Sequence, residues 1–231
     1  MGFSTQARVA GHADTSRVIK TKWVTVGLLV LTVGQLAVAT FVPGLEQFEG
    51  KGFAARLIAY PVMMLLVPAI WWLRRSPSDP RPAPWAAFAW IMLPFLVDVT
   101  GNTLDRYDAW WWWDDANHLV NWLFLSLGVG LLLARAGRRK GWEQVLLVTG
   151  IGAMMAIGWE IGEYYAFIRG GTELATAYTD TLGDEVLGTL GALVAGLITA
   201  APTPGRDRAL GSEPAVIMHG GGGGTAAENR A

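Results

Sequence analysis

The stretch WEIGEYYAFIRGGTELATAYTDTLGDEVLGTLG, from Trp159 to Gly191, places Glu160, Glu163, Asp180, Asp184 and Glu185 in or beside two segments that otherwise read as membrane-spanning. A carboxylate at the centre of a bilayer costs at least about 2.5–3.5 kcal/mol, so intramembrane acids face a bundle interior or a wet cavity. This stretch therefore predicts helices packed around a polar site, and the rest of the chain can be arranged about it.

The bulk composition agrees. Of 231 residues, 52% are hydrophobic and only 16% charged, and the apolar residues come in runs of about twenty. Such runs are long enough to cross a hydrocarbon core of about 30 Å. The expected fold class is all-α, a polytopic integral membrane bundle of six helices. A net charge of −1 gives no argument for a nucleic-acid partner; the partner that composition implies is the lipid bilayer. The absence of cysteine excludes disulfides, a thiolate nucleophile and a Cys-ligated metal.

The apolar segments fall at about 23–43, 53–73, 85–104, 117–134, 143–168 and 182–201. Residues 1–22 read as a disordered tail, 23–201 as the transmembrane domain, and 202–231, with its five-glycine run, as a second disordered tail. Ala37-Val38-Ala39 resembles a signal-peptide cleavage site, but the apolar run is long and its leading region extended, so the first segment is expected to stay as a span. With six spans, fourteen of the eighteen Lys and Arg residues fall on one side: four before residue 23, three in the 74–84 loop, four in the 135–142 loop and three after 201. The positive-inside rule then puts both termini in the cytoplasm of a plasma-membrane protein. Trp71, Trp72, Trp85 and Trp142 lie at expected inner boundaries and Trp110 to Trp113 at an outer one, where aromatic belts form. Pro61, Pro68 and Pro94 each remove a backbone donor and are expected to kink or open the second and third spans.

Following the spans in alternating direction brings the intramembrane polar residues to one depth. The third span ends with Asp98, Asn102 and Asp105 on one helical face. The outer loop supplies Asp108, Asp114 and Asp115, and the fourth span opens with His118 and Asn121. Asp114 and His118, four apart, would align on a helix. The fifth span brings Glu160, Glu163 and Tyr164, and the sixth begins with Asp180, Asp184 and Glu185. His12 and His219 fall in the tails, which leaves His118 as the only intramembrane histidine. Asp184, Gly188, Ala192 and Gly196 form a small-residue ridge, as do Gly152, Ala156, Glu160 and Glu163, so each acid sits at the end of a packing face.

Three chemistries fit such a pocket: a hydrogen-bonded polar plug, a divalent-cation site of carboxylates and His118, or an ion or proton pathway. The inner halves of the spans carry almost no ionisable residues, which weighs against a pathway. The candidate metal ligands are Asp114, His118, Glu160, Glu163, Asp180 and Asp184. The candidate acid/base residues are Glu160, Glu163 and His118. Asp98 and Asn102 are placed as supporting residues. No Ser-His-Asp spacing or Gly-rich phosphate cradle is evident.

Residues 95–200 resemble the VanZ-like superfamily of small bacterial membrane proteins, and more closely its YjdF-type relatives. The resemblance rests on Asp114 and His118 as Asp–x3–His, Glu160 and Glu163 as paired acids, and Asp180-Thr181 with Asp184 as Asp-Thr–x2–Asp. The chain departs from that pattern at Glu163, where a Gln is typical, at Gly188 in place of Asn, and at Asp115 in place of Lys. All but the second make the pocket more acidic and favour a cation. VanZ-like proteins are linked to glycopeptide resistance and have no settled biochemical activity, so the resemblance implies a role at the cell envelope; the convergence of four helices on one polar depth carries the expectation that the pocket binds a divalent cation and acts on an envelope lipid or lipid-linked group. The alternative is a non-catalytic envelope protein whose polar cluster sets helix register.

Overall fold

A computed structural model describes residues 3–79, 81–137, 139–166, 168–170 and 172–201. Among them the chain is entirely helical. The elements are α1 (Phe3–Phe41), α2 (Phe53–Arg74), α3 (Trp85–Thr103), the single-turn α4 (Arg106–Ala109), α5 (Trp113–Ala136), α6 (Gly141–Ala166) and α7 (Ala177–Ala200). Six stretches of 19 to 26 residues, all of these elements but α4 and with α1 counted from Val18, are apolar and long enough to cross a membrane. At 1.5 Å per residue they measure about 28–39 Å.

The expected number of spans is therefore found, with shifted boundaries. α1 is helical from Phe3, within the stretch 1–22 expected as a tail; residues 3–22 contain no proline and one glycine. Residues 202–231, expected as the second tail, lie outside the described residues. α5 starts at Trp113 rather than near 117, and α7 at Ala177 rather than 182. Asp114, Asp115 and Asp180 thereby become helical residues instead of loop residues. Acids in a first turn are favoured by the helix dipole, which a hydropathy pattern does not register. α2 and α3 are helical straight through Pro61, Pro68 and Pro94.

Packing follows the small residues. The buried positions of α6 are Gln144, Val148, Gly152, Ala156 and Glu160, four apart throughout. Those of α7 are Asp184, Gly188, Gly191, Ala192, Ala195 and Gly196. α7 packs along both α5 and α6. A Cβ on Gly188 would lie 2.8 Å from the Trp122 ring, and one on Gly152 would overlap the Ala192 methyl. Without hydrophobic drive inside a bilayer, such close approach is what holds helices together.

α3 packs against α5 and α1, and α2 packs against α1 and α3. α2 buries Phe53, Tyr60, Met64 and Pro68, the first three in a cluster with Leu36, Met92, Phe95 and Val99. A second cluster holds Trp122, Leu125 and Ala156, and Trp159 packs on both. The remaining helix faces carry exposed apolar side chains, such as Leu73 at 86% and Met154 at 75%. In water these would be a liability; against acyl chains they are the expected surface.

Candidate functional site

Glu160 occupies the end of the α6 packing stripe and Asp184 the start of the α7 ridge, so the two ridges that bring the helices together also bring the acids together. His118, about one and a half turns into α5, completes the set. Its Nδ1 lies 3.7 Å from Glu160 Oε1 and 3.6 Å from Asp184 Oδ1, and its Nε2 lies 3.8 Å from Asp114 Oδ1. Side-chain exposure is 10% for His118 and 6% for Glu160, against 49% for Asp114. The cluster is thus closed at Glu160 and open at Asp114.

These separations are too long for hydrogen bonds. His118 Nδ1 and Glu160 Oε1 are both buried and have no hydrogen-bond partner. A buried polar atom without a partner costs about 1–3 kcal/mol, so two facing each other across 3.7 Å call for something between them. One ligand atom from each of Asp114, His118 and Asp184 lies within 4.8 Å of the others, and the same holds for His118, Glu160 and Glu163. Ligands at the usual 2.0–2.2 Å around a tetrahedral ion stand about 3.3–3.6 Å apart, so the side chains of either triad would have to draw together to hold one. The donor set of imidazole and carboxylate suits zinc or manganese better than calcium.

A neighbouring cluster lies on α2, α3 and α4. Asp98 accepts hydrogen bonds from Arg56 Nη1 (3.0 Å), Tyr60 Oη (2.6 Å) and Tyr107 Oη (2.8 Å). Arg56 and Asp98 form a largely buried ion pair, with side chains 14% and 16% exposed. Burial, followed by the negative charge of Asp98, pushes the Tyr107 phenol well above its ordinary pKa, so it stays a donor. The field of Arg56 reaches Glu163, and Tyr60 packs 6.4 Å from the Trp159 ring beside Glu160. The two clusters therefore share a wall.

Of the residues expected at the site, Asp114, His118, Glu160, Glu163 and Asp184 come together. Asp180 is exposed, one turn before Asp184. Asp115 and Asp105 are exposed, and Asp108 pairs instead with Lys51. Asn102, expected to support the pocket, turns its amide to the Asp98 carbonyl of its own helix, and Asn121 donates to Asn117. Asp98 serves Arg56 and two tyrosines. Arg56, Tyr60 and Tyr107 were not anticipated; Arg56 and Tyr60 are four apart on α2, a spacing that could have flagged them.

A family described as "Predicted membrane protein (DUF2238)" matches residues 25–203. The chain belongs to this family. No curated protein and no solved structure matches it. The DUF2238 match runs from within α1 to just past α7, so it contains all the residues of both clusters. Membership in DUF2238 makes the six apolar helices those of an integral membrane protein, in keeping with their composition.

Proposed function

We propose that this DUF2238 protein is a plasma-membrane protein that binds a divalent cation between His118, Glu160 and Asp184, near the outer leaflet. The cation would serve in a reaction on an envelope lipid or lipid-linked group. The observation that carries this reading is the pair of buried, unpartnered atoms, His118 Nδ1 and Glu160 Oε1, facing each other with Asp184 alongside. In this reading Asp114 faces Nε2 and fixes the tautomer that leaves Nδ1 free to ligate, the arrangement common to metal-bound histidines. Glu163 is either a fourth ligand or the base that takes a proton from a metal-bound water. Asp180 stands at the open side and is not a ligand.

Charge supports the proposal. Among the described residues the ion pairs of Asp114, Glu160 and Asp184 involve only His118, while Arg56, paired with Asp98, reaches the site through its field at Glu163. A divalent ion is the compensation such a site lacks. The VanZ-like and YjdF-type reading agrees, since its three short motifs supply the residues that meet here. The outward orientation rests on the distribution of Lys and Arg.

The test is elemental analysis of detergent-purified protein, wild type beside Glu160→Gln/Asp184→Asn. Near-stoichiometric divalent metal, lost in the variant while helicity is retained, is the expected result. Metal-free wild-type protein at neutral pH would refute the proposal. It would favour a non-catalytic protein whose acids fix helix register at the ends of the small-residue ridges.

A further inference from the structure

A second feature stands apart from the His118 cluster. A groove of about 410 Å³ runs down the last turns of α3 and under α4, within the size range of about 300–1,000 Å³ usual for ligand sites. Leu96, Val97, Thr100 and Leu104 lie along one face of α3 and form its apolar side, and Trp110 and Trp113 close the other. The one charged residue lining it is Arg106.

Arg106 sets a charge at the end of an otherwise uncharged groove. Its guanidinium lies 4.3 Å over the Trp110 ring, and among the described residues it forms no ion pair. Its acidic neighbour Asp108 is taken by Lys51, with Asp105 hydrogen-bonded beside it. Stacking on an aromatic face fixes the guanidinium plane while leaving its N–H edge free to donate to a phosphate. Arg106 also stands three residues beyond the end of α3, next to the exposed Trp111 and Trp112, at the depth where headgroups meet an aromatic belt.

We propose that this groove is a specific site for one anionic phospholipid, with an acyl chain along Leu96, Val97 and Leu104 and the phosphate on Arg106. Charge complementarity selects the occupant: an apolar channel at membrane depth that ends in a single uncompensated cation fits an acyl chain joined to an anion. The site stands whether or not the His118 cluster holds a metal.

The test is native mass spectrometry of the full chain, titrated with phosphatidylglycerol and with phosphatidylcholine of the same acyl chains. One phosphatidylglycerol should bind with about fivefold preference, the factor that one basic residue at a membrane surface provides. Arg106→Gln should abolish the preference. Val97→Trp, which fills the groove, should weaken binding of both lipids. Arg169→Gln removes a cation that stacks on Tyr165 and does not line the groove, and should leave the preference intact. Equal binding of the two lipids by wild type, or a preference that survives Arg106→Gln, overturns the proposal. Equal losses in Arg106→Gln and Arg169→Gln would mean diffuse surface charge and would overturn it as well.

Discussion

Gly191→Ala should disrupt the site without touching any of its polar residues. Gly191 lies on the face of α7 that packs on α5, and a Cβ there would sit 2.8 Å from the Leu123 amide nitrogen and against the Leu119 carbonyl oxygen. Those two atoms stand at the i, i+4 spacing of one turn's hydrogen bond in α5. Backbone cannot rotate aside as a side-chain tip can, so α5 and α7 must separate. Leu119 follows His118, and Asp184 is two turns from Gly191 on the same helix, so the separation opens the 3.6 Å gap between Nδ1 and the Asp184 carboxylate. Overpacking of this kind costs about 1–3 kcal/mol. Against it stands the helix-propensity gain of Gly→Ala, about 0.8–1 kcal/mol. Gly158→Ala supplies the control, because nothing lies within 4 Å of a Cβ at that position. The propensity gain is common to both variants, and their difference isolates the wedge. At about 2–4 °C per kcal/mol for a chain of this size, Gly191→Ala should melt roughly 2–12 °C below Gly158→Ala in the same detergent. It should also retain less divalent metal. Equal melting temperatures would refute the packing argument, and normal metal content in a destabilised Gly191→Ala would break the link between packing and site.

Asp98→Asn leaves Arg56 buried without its counter-charge and should cost about 3–5 kcal/mol in chemical unfolding. Arg56→Gln/Asp98→Asn should cost less than the sum of the single changes, whereas additive effects would mean that the pair is not coupled. Lys51 donates a hydrogen bond to Asp108, and this, more than the attraction of its charge, holds the carboxyl below its ordinary range. A depressed folded-state pKa stabilises above the ordinary carboxylate range and is lost as pH falls through the depressed value. Asp108→Asn should therefore flatten the acid side of a melting-temperature profile below about pH 4, by no more than about 1 kcal/mol because the carboxylate is largely exposed. Chelation should destabilise wild type by about 2.7 kcal/mol if the metal had been present at a hundred times its Kd. Glu160→Gln/Asp184→Asn should melt identically with and without chelator, and a chelator effect that persists there would place the metal elsewhere.

The spans were legible because apolar length and the small-residue ridges express the same packing. Asp184, Gly188, Ala192 and Gly196 are all buried, as a four-residue period predicts. The ends of the helices were less legible. Hydropathy falls where acids begin, so α5 and α7 each read about four or five residues short, although first-turn acids favour helix. The tail before residue 23 is polar and aperiodic, and nothing in that pattern distinguishes a solvated helix from coil. Relative level along the bundle was equally readable: alternating span directions put His118, Glu160 and Asp184 at one level, and they meet there.

Rotation about each helix axis was harder to read, and it decides which acids share a site. Asp180 and Asp184 are one turn apart, yet only Asp184 is buried, because the ridge begins with it. Asp98 has the depth of a site residue but faces α2, where Arg56, Tyr60 and, from α4, Tyr107 satisfy it completely. Arg56 looked like an ordinary outer-side charge because its partner is forty-two residues away. The contrast between the two clusters also shapes the proposal. Asp98 has three donors and needs nothing further, whereas His118 and Glu160 hold polar atoms at 3.7 Å that reach neither each other nor water. Unpartnered buried atoms also occur at Trp113 Nε1, Asn121 Oδ1, Ser126 Oγ and Thr149 Oγ1, so what sets His118 and Glu160 apart is that their two unpartnered atoms face each other. Under the proposal, an ion between His118 and Glu160 supplies there what three donors supply at Asp98.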